Sequence, residues 1–306
     1  MLTVTTVAPT RRLTSVAAVV AELGTTLTPT EQAILAGIID GVTSAIEGFC
    51  EAPSFAREVV EETLPGFGDL TVELTRRPVI SVSLMTVDAA VITDFSIQDA
   101  DKGEIYRQAG FDWTAQSRFS LTGRQTWPAM GHPVPGREEP LIGATYVGGY
   151  ILPEQFLSDA ALSVVAADQS FNGSAGMFPA LLKPGDILIA SGFASSANNG
   201  RFVVSSATPP TTSKVVATGA ALVNESSATR SIRFDAPAHC RSFAGLERAA
   251  IIASRASWLT RADDPDVIER QVAQLRTRKS EGFNEDPLLA IPGEAIGYLR
   301  PWMRSA

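Results

Sequence analysis

The sequence predicts an α+β protein in which a small all-β barrel or sandwich interrupts a domain of helices and antiparallel strands. Three observations lead to this fold class. Residues 28–49 carry a complete helix signal, residues 57–150 consist of short apolar segments separated by turns, and residues 158–234 are rich in Ser, Thr, Ala and Gly. Because the strands do not alternate with helices along the chain, a parallel α/β sheet is not expected.

The first strong helix is predicted to begin after Thr28. Thr28 can cap a helix, Pro29 suits the first helical position, and Glu31 stands where a capping box requires an acidic side chain. Apolar residues then recur every three or four positions, which places them on one helix face: Leu35, Ile38, Ile39, Val42, Ile46 and Phe49. Pro53 is expected to end the helix.

The region from Arg57 to Tyr150 is predicted to form short antiparallel strands. Turn residues separate the apolar segments at positions 65–68 and at Asp88-Ala89. A further turn at residues 99–103 has a faint likeness to a calcium loop, but its glycine stands at the fifth position and an EF-hand needs it at the sixth. A β-turn is therefore the favoured interpretation.

Residues 158–235 are predicted to form a separate inserted β module. Four segments have strand character: residues 187–190, 202–206, 214–217 and 231–234. Turns are expected at residues 183–186 and at 198–200, where Asn-Gly favours a tight hairpin. This regular spacing fits a small antiparallel barrel or sandwich.

A second helical region is predicted after Pro237. Its small and apolar residues recur at helical spacing and favour close approach of another helix: Leu246, Ala249, Ala250, Ala253, Ala256, Ser257 and Thr260. Asp264-Pro265-Asp266 is expected to open a further helix, because acidic residues are favourable at a helix N-terminus. The tail carries three prolines after residue 286 and is predicted to be an extended arm with short turns.

The predicted domains are therefore residues 1–157 together with 236–282, the inserted module 158–235, and a C-terminal arm 283–306.

The charge and composition of the chain exclude some function classes. Twenty-five Lys and Arg residues stand against 33 Asp and Glu, for a net charge of -8, which argues against a protein that coats DNA. The two cysteines, Cys50 and Cys240, are too far apart in sequence to form a CxxC site and are expected to be free thiols. No run of 18 apolar residues predicts a membrane span.

No residue pattern predicts catalysis, a metal site or a cofactor site. His132 lies in a proline-rich loop, and His239 adjoins Cys240, an arrangement that is more often structural than catalytic. Glu58, Glu61 and Glu62 are interpreted as a solvated strand face, and Arg76-Arg77 as a strand edge kept soluble by charge. We therefore expect a protein that is not an enzyme and holds no cofactor.

Several segments stand in a characteristic order along the chain: Leu13-Thr14-Ser15, Arg77–Val82, Asp94–Gln98, Gly103–Arg107, Tyr146–Tyr150 with Pro153 beyond it, Leu246–Ala250 and Trp258. This order resembles the head–tail connector (adaptor) proteins of tailed bacteriophages. In that family a proline-led strand, a Y-x-x-G-Y strand followed by proline, and an alanine-rich helix recur in this order. The resemblance covers roughly residues 13–157 and 240–280.

The inserted residues interrupt the pattern of that family and have a resemblance of their own. They are similar to small β modules of phage tail-tube and related virion proteins at Lys183–Ile187, Ser191–Phe193, Asn198–Phe202 and Leu222–Ser226. Both resemblances point to a virion protein. Together they imply a helical connector domain with antiparallel strands, interrupted by the β module.

The connector resemblance implies a structural protein of the virion that is assembled in the host cytoplasm. It implies a homo-oligomeric ring, typically of twelve copies, between the portal protein and the tail or neck proteins. Double-stranded DNA would pass through the ring without specific binding, since an acidic lining repels phosphates. No membrane partner is expected.

Two alternative functions stay open. One is a tail-side neck or tail-terminator protein, and the other is a hydrolase or carbohydrate-binding protein whose β module binds the ligand. The residues that we predict to bind a partner belong to the basic run and to the tail: Arg276, Arg278, Lys279, Tyr298, Arg300 and Trp302.

Overall fold

The protein is mostly β in a computed structural model that describes residues 1–65, 69–111, 141–263 and 291–303. Strands account for 35% of the residues that the structure describes and helices for 27%, and six of the strands close an antiparallel barrel. The prediction of a helical connector domain interrupted by an inserted barrel is therefore wrong. Capping boxes and helical periodicity are local signals, whereas strand pairing joins distant segments and is harder to detect in sequence.

The chain divides into two compact units, and each is described separately. The first, the sheet unit, comprises Met1–Ala8, Arg57–Gly149 and His239–Arg241. The second, the barrel unit, comprises Pro9–Ala56, Tyr150–Ala238 and Ser242–Ala306. The domain boundaries predicted from the sequence stay predictions.

The sheet unit contains a five-stranded antiparallel sheet in the order β1-β2-β8-β4-β5 and a three-stranded sheet in the order β3-β7-β6. The strands are β1 (Leu2–Thr6), β2 (Glu58–Pro65), β3 (Thr71–Glu73), β4 (Val79–Val87), β5 (Ala90–Val91), β6 (Phe95–Asp99), β7 (Glu104–Arg107) and β8 (Leu141–Gly148). Asp88 and Ala89 both have positive φ, 50° and 64°, as a type I′ turn between β4 and β5 requires. The turn predicted at this position is thereby confirmed.

Side chains alternate across the five-stranded sheet, as the pleat dictates. The core of the unit lies on one face and takes in Val60, Met85, Ala144 and Tyr146. The opposite face exposes residues such as Glu61, in a pattern typical of antiparallel sheets.

The barrel unit contains the closed barrel, in the order β10-β13-β12-β11-β14-β9. Its strands are β9 (Leu157–Val165), β10 (Ser170–Asn172), β11 (Ile187–Ser191), β12 (Gly200–Val204), β13 (Lys214–Thr218) and β14 (Glu225–Asp235). The ring of Phe171 lies 5.5 Å from that of Phe193 and 5.3 Å from that of Phe202, measured between centroids. Apolar side chains therefore fill the interior of this small barrel.

The loop between β11 and β12 differs from the tight hairpin that Asn-Gly favours. The two strands pair antiparallel, but residues 192–199 connect them and include a short 3₁₀ turn, Ser196–Asn198. The Asn198 side chain is buried and bonds the backbone of Val223 in both directions, at 2.8 and 2.9 Å. Asn198 therefore anchors a longer loop to its neighbour and does not form the central pair of a two-residue turn.

Four helices complete the described part of the barrel unit: α1 (Val16–Leu23), α2 (Pro29–Phe49), α3 (Ala244–Asp263) and α4 (Gly293–Leu299). The capping box predicted for α2 is confirmed. The Glu31 N–H donates to Thr28 Oγ1 at 3.3 Å, and the Thr28 N–H donates to a Glu31 carboxylate oxygen at 2.7 Å. This pair of hydrogen bonds satisfies two backbone donors that the first turn would otherwise leave unpaired.

Helix α3 lies against the other three helices, as its small residues predict. Leu246, Ala249, Ala250 and Ala253 are fully buried, and α3 packs against α1, α2 and α4. Alanine lets helix axes approach closely because its side chain ends at the Cβ atom. The predicted helix after Asp264 lies outside the described residues.

Candidate partner-binding surface

The C-terminal segment, residues 291–303, lies along α3. Ile291, Ala295 and Leu299 are buried, and they stand four residues apart, so that they share one face of the segment. This face packs against α3. The prediction of an extended tail is wrong for residues 293–299, which form α4 with Ala295 and Leu299 buried. The spacing of 291, 295 and 299 was the available sequence signal.

Trp302 fixes the end of this segment beside the start of α3. Its indole occupies the space above Gly245, where an added Cβ would come within 2.5 Å of the ring. The indole N–H donates to the Tyr150 hydroxyl at 3.2 Å, and the Tyr150 ring lies 5.3 Å from the Phe243 ring. Glycine at position 245 is therefore required for the indole to lie against the helix backbone.

Tyr298 meets α3 one turn further along. The Arg248 guanidinium lies close to the Tyr298 hydroxyl, and it forms two hydrogen bonds with the Glu22 carboxylate, at 2.9 and 3.1 Å. Hydrogen bonding from Arg248 lowers the pKa of Glu22 below its ordinary value. Because Trp302 meets Gly245 and Tyr298 meets Arg248, the segment runs antiparallel to α3.

The same segment exposes a mixed apolar and basic surface. Tyr298 is 42% exposed and Met303 is 45% exposed, and Arg300 between them is also exposed. Tyr and Arg are enriched in protein interfaces because they combine large contact area with directional polar groups. We call Tyr298, Arg300, Trp302 and Met303 the C-terminal surface.

The structure brings together three of the six residues predicted to bind a partner. Tyr298, Arg300 and Trp302 lie within one segment, with Trp302 half-buried and the other two exposed. Arg276, Arg278 and Lys279 lie outside the described residues. Met303 is the member of the surface that sequence reasoning missed, because a lone methionine near a chain end carries no pattern.

A second polar cluster lies buried in the sheet unit, where the sequence predicted solvated charges. Arg76 is 1% exposed and forms a 2.6 Å ion pair with Glu58, which is fully buried. The Tyr146 hydroxyl donates to Glu62 at 2.7 Å and accepts the Arg76 backbone N–H at 3.0 Å. The interpretations of Glu58 and Glu62 as a solvated face and of Arg76 as a soluble edge are therefore wrong, whereas Glu61 is exposed.

The alternation of side chains between the two faces of β2 could have indicated this cluster. Positions 58, 60 and 62 of β2 share one face, and Val60 between the two glutamates is a core residue. Burial, together with the nearby Glu62 carboxylate, raises the pKa of Tyr146 far above its ordinary value. The phenol therefore stays protonated and acts as a hydrogen-bond donor, a structural role that joins β2 to β8.

A third polar cluster holds the loop of the barrel between β11 and β12. Glu225 accepts hydrogen bonds from the backbone N–H groups of Ala194 and Ser195, at 3.1 and 2.7 Å. It also accepts from the Asn198 amide and the Arg230 guanidinium, each at 2.7 Å. Desolvation raises the pKa of Glu225, but these four donors outweigh it and lower the pKa to about 2.

The remaining sequence candidates that the structure describes do not form a metal site. Over residues 1–65, 69–111, 141–263 and 291–303, no cluster of three or more His, Cys, Asp or Glu side chains is arranged to hold a metal ion. The turn at residues 99–103 is closed by a hydrogen bond from the Lys102 N–H to Asp99, at 3.1 Å. His239 belongs to the sheet unit, and His132 lies outside the described residues.

No described helix combines the length and the apolar character that crossing a membrane requires.

Comparisons with protein families, with curated proteins and with solved structures found no match for this chain.

Proposed function

We propose that this protein is a structural, non-enzymatic component of a tailed-phage virion. In this proposal it forms a ring of about twelve copies between the portal protein and the tail or neck proteins, and the ring continues the DNA channel. The proposal rests first on the order of the segments that resemble connector proteins. It requires no helical connector domain, and the contacts of the ring are assigned to the two β-rich units.

The observation that carries the proposal is the pairing of β4 with β8. The proline-led segment leads into β4 and the Y-x-x-G-Y segment begins in β8, and the two strands are antiparallel neighbours with Val79 opposite Gly148. The fit is close, because a Cβ at Gly148 would lie 2.7 Å from the Arg76 backbone oxygen and side chain. Two motifs that are weak separately therefore form one packed element.

The chemistry of the described polar groups favours a structural role. The carboxylate with the strongly lowered pKa, Glu225, holds a loop through backbone N–H groups. The phenol with the strongly raised pKa, Tyr146, is hydrogen-bonded in the core of the sheet unit. Groups that are hydrogen-bonded within the fold in this way contribute to stability more than to reaction with a substrate.

In this proposal the C-terminal surface supplies the contact for the portal protein. It combines an exposed aromatic ring, a guanidinium and a thioether within a short helix and the turn after it. Such a surface can bury apolar area around a charge-assisted hydrogen bond. Packing against α3 keeps this surface in a defined conformation, which reduces the conformational entropy lost on binding.

The test is assembly of the purified chain, alone and with the portal protein of the same phage. Native mass spectrometry should find a species about twelve times the 32.4 kDa chain mass, and negative-stain images should show rings. A chain that stays monomeric and does not bind portal would overturn the proposal. Binding to tail proteins with no binding to portal would favour the tail-side alternative.

A matched pair of variants tests the C-terminal surface. Arg300→Ala should weaken portal binding by about tenfold, which corresponds to ~1.4 kcal/mol. Arg201→Ala removes another exposed arginine, which lies on β12 of the barrel, and should leave portal binding unchanged. Equal loss of portal binding in both variants would show that the overall charge of the chain, and not the C-terminal surface, determines portal binding.

A further inference from the structure

We propose that β1 of one copy pairs with β4 of the neighbouring copy, so that the five-stranded sheet continues from subunit to subunit. This inference rests on the proposed ring and identifies the contact that would close it.

Strand β1 lies at one edge of the sheet. Its inner side pairs with β2, and in the described part of the sheet unit no strand pairs with its outer side. Thr3 is exposed, and Val7 just beyond the strand is 63% exposed. The edge is thus accessible to an incoming strand.

The backbone groups that face outward can be identified from the register. Met1 and Thr63 exchange two hydrogen bonds, of 2.6 and 2.7 Å, so they form a hydrogen-bonded pair of the ladder. Since such pairs alternate in antiparallel sheets, Thr3 opposite Glu61 is the next hydrogen-bonded pair. The N–H and C=O groups of Leu2 and Val4 therefore point away from β2 and toward the open edge.

The chemistry of β1 leaves this edge without the usual protection. Exposed edge strands are commonly blocked by charged side chains, proline or bulges. Of these devices β1 has only a register shift after Val4: Leu2–Val7 contains neither a charged residue nor proline, and the ladder is regular from Leu2 to Val4. A strand of this kind is a template for β-augmentation.

The opposite edge of the same sheet supplies the complementary strand. β5 pairs only with Thr86 and Val87 of β4. Among the described strands of this sheet, residues 80–84 of β4 therefore lie outermost. The pairing of β4 with β8 shifts register between Val79 and Ser81 and again between Val82 and Leu84, so the incoming strand would pair with an edge that is twisted at these two points. Leu84 in this stretch is 43% exposed.

The strand directions select a head-to-tail contact. Each pair β1–β2, β2–β8 and β8–β4 is antiparallel, so β1 and β4 run in opposite directions within one sheet. A copy placed next to β4 in the same orientation brings its β1 into antiparallel register, and the ladder continues. Repetition of one such heterologous contact closes a ring when the rotation between copies closes and builds an open filament when it does not, whereas pairing of β1 with β1 would close a two-fold dimer.

Hydrogen exchange of the full-length chain measures this contact directly. In the monomer, the amides of Leu2 and Val4 should exchange rapidly, whereas that of Thr3 should be protected by β2. In the assembled ring, the amides of Leu2 and Val4 should become protected as well. Rings that form without this protection would overturn the inference and leave the proposed function standing.

Two variants at Val4 distinguish the contribution of the backbone N–H to assembly from that of the side chain. Val4→Pro removes an outward N–H and no bond to β2, so the fold should persist while assembly weakens by at least about tenfold per contact. Val4→Ala loses the apolar side chain but keeps the N–H, and it should assemble like the parent chain. Circular dichroism and melting temperature establish that both variants are folded.

The remaining outcomes are also decisive. Equal assembly of Val4→Pro and the parent chain would overturn the inference. A closed dimer with protected Leu2 and Val4 amides would show β1–β1 pairing and overturn the head-to-tail contact. A chain that stays monomeric with unprotected β1 amides and does not bind portal would overturn both this inference and the proposed ring.

Discussion

The indole of Trp302 lies against the backbone of α3 at Gly245, where even one methyl group would come within 2.5 Å of the ring. Glycine by itself weakens a helix. Here Gly245, near the start of α3, leaves room for an indole that stands 57 positions later in the chain. This contact holds the C-terminal surface in place.

Gly245→Ala should displace Trp302 and loosen residues 291–303. The rigid indole cannot yield without losing its hydrogen bond to Tyr150, so we expect a destabilisation of about 1–3 kcal/mol. Hydrogen exchange of residues 291–303 should rise. Gly297→Ala is the control, because a Cβ there meets no atom within 4 Å and the change should stabilise α4 slightly. An unaltered exchange rate in Gly245→Ala would contradict the prediction.

Removal of Arg76 should destabilise the sheet unit strongly. Arg76→Met breaks the buried 2.6 Å ion pair with Glu58, and the loss of one partner of such a pair costs about 3–5 kcal/mol. Arg77→Met is the matched control, because its partner Glu73 is largely exposed and such pairs contribute only about 0–1 kcal/mol. Urea unfolding measures both. Adding Glu58→Gln to Arg76→Met should recover part of the loss, and strict additivity would contradict the pairing.

The stability of the barrel unit should fall in acid because of Glu225. Its pKa is about 2 in the folded chain and near 4.5 in the unfolded chain. The folded state therefore favours the ionised form, and this stabilisation is present above pH 4.5 and is lost as the pH falls toward 2. Glu225→Gln should flatten the melting temperature between pH 5 and about 2. An equally steep decline in the variant would assign the acid sensitivity to other groups.

Glu247 should make the protein less stable as the pH rises, which is the opposite of the effect of Glu225. Burial raises its pKa above the ordinary 4.5, Arg233 lowers it in part, and Asp235 raises it further. The folded state therefore favours the protonated form, and stability should decrease as the pH rises above 4.5 through the folded-state pKa. The melting temperature of Glu247→Gln relative to the parent chain should increase between pH 4 and about 7. A constant difference over this range would contradict the raised pKa.

Parts of the fold that depend on neighbouring residues could be predicted from the sequence. The capping box at Thr28 and Glu31, the turn at Asp88 and the small-residue face of α3 are confirmed. Each requires only residues a few positions apart, and the physical reason for each is a hydrogen bond, a backbone conformation or a helical repeat. The barrel strands β11 and β13 lie where apolar segments between turns predicted them.

The candidate site was only partly predictable. Tyr298, Arg300 and Trp302 were singled out by residue type and by the tail in which they stand. Their common surface depends on α4, whose apolar repeat is interrupted by glycine and preceded by proline. The buried cluster of Arg76 and Glu58 was misread, because charged residues on strands are usually solvated and only the core behind β2 makes these two exceptions.

The sequence by itself determined the local elements of this protein: where helices are capped, where turns fall and which face of α3 is small. Only the tertiary structure decided that the chain is mostly β, that β1 joins the sheet through β2, and that Gly245 receives Trp302. The reason is physical. A local signal is complete within one turn of helix or one hairpin, whereas strand pairing and the burial of a charge depend on segments that meet only in the folded chain.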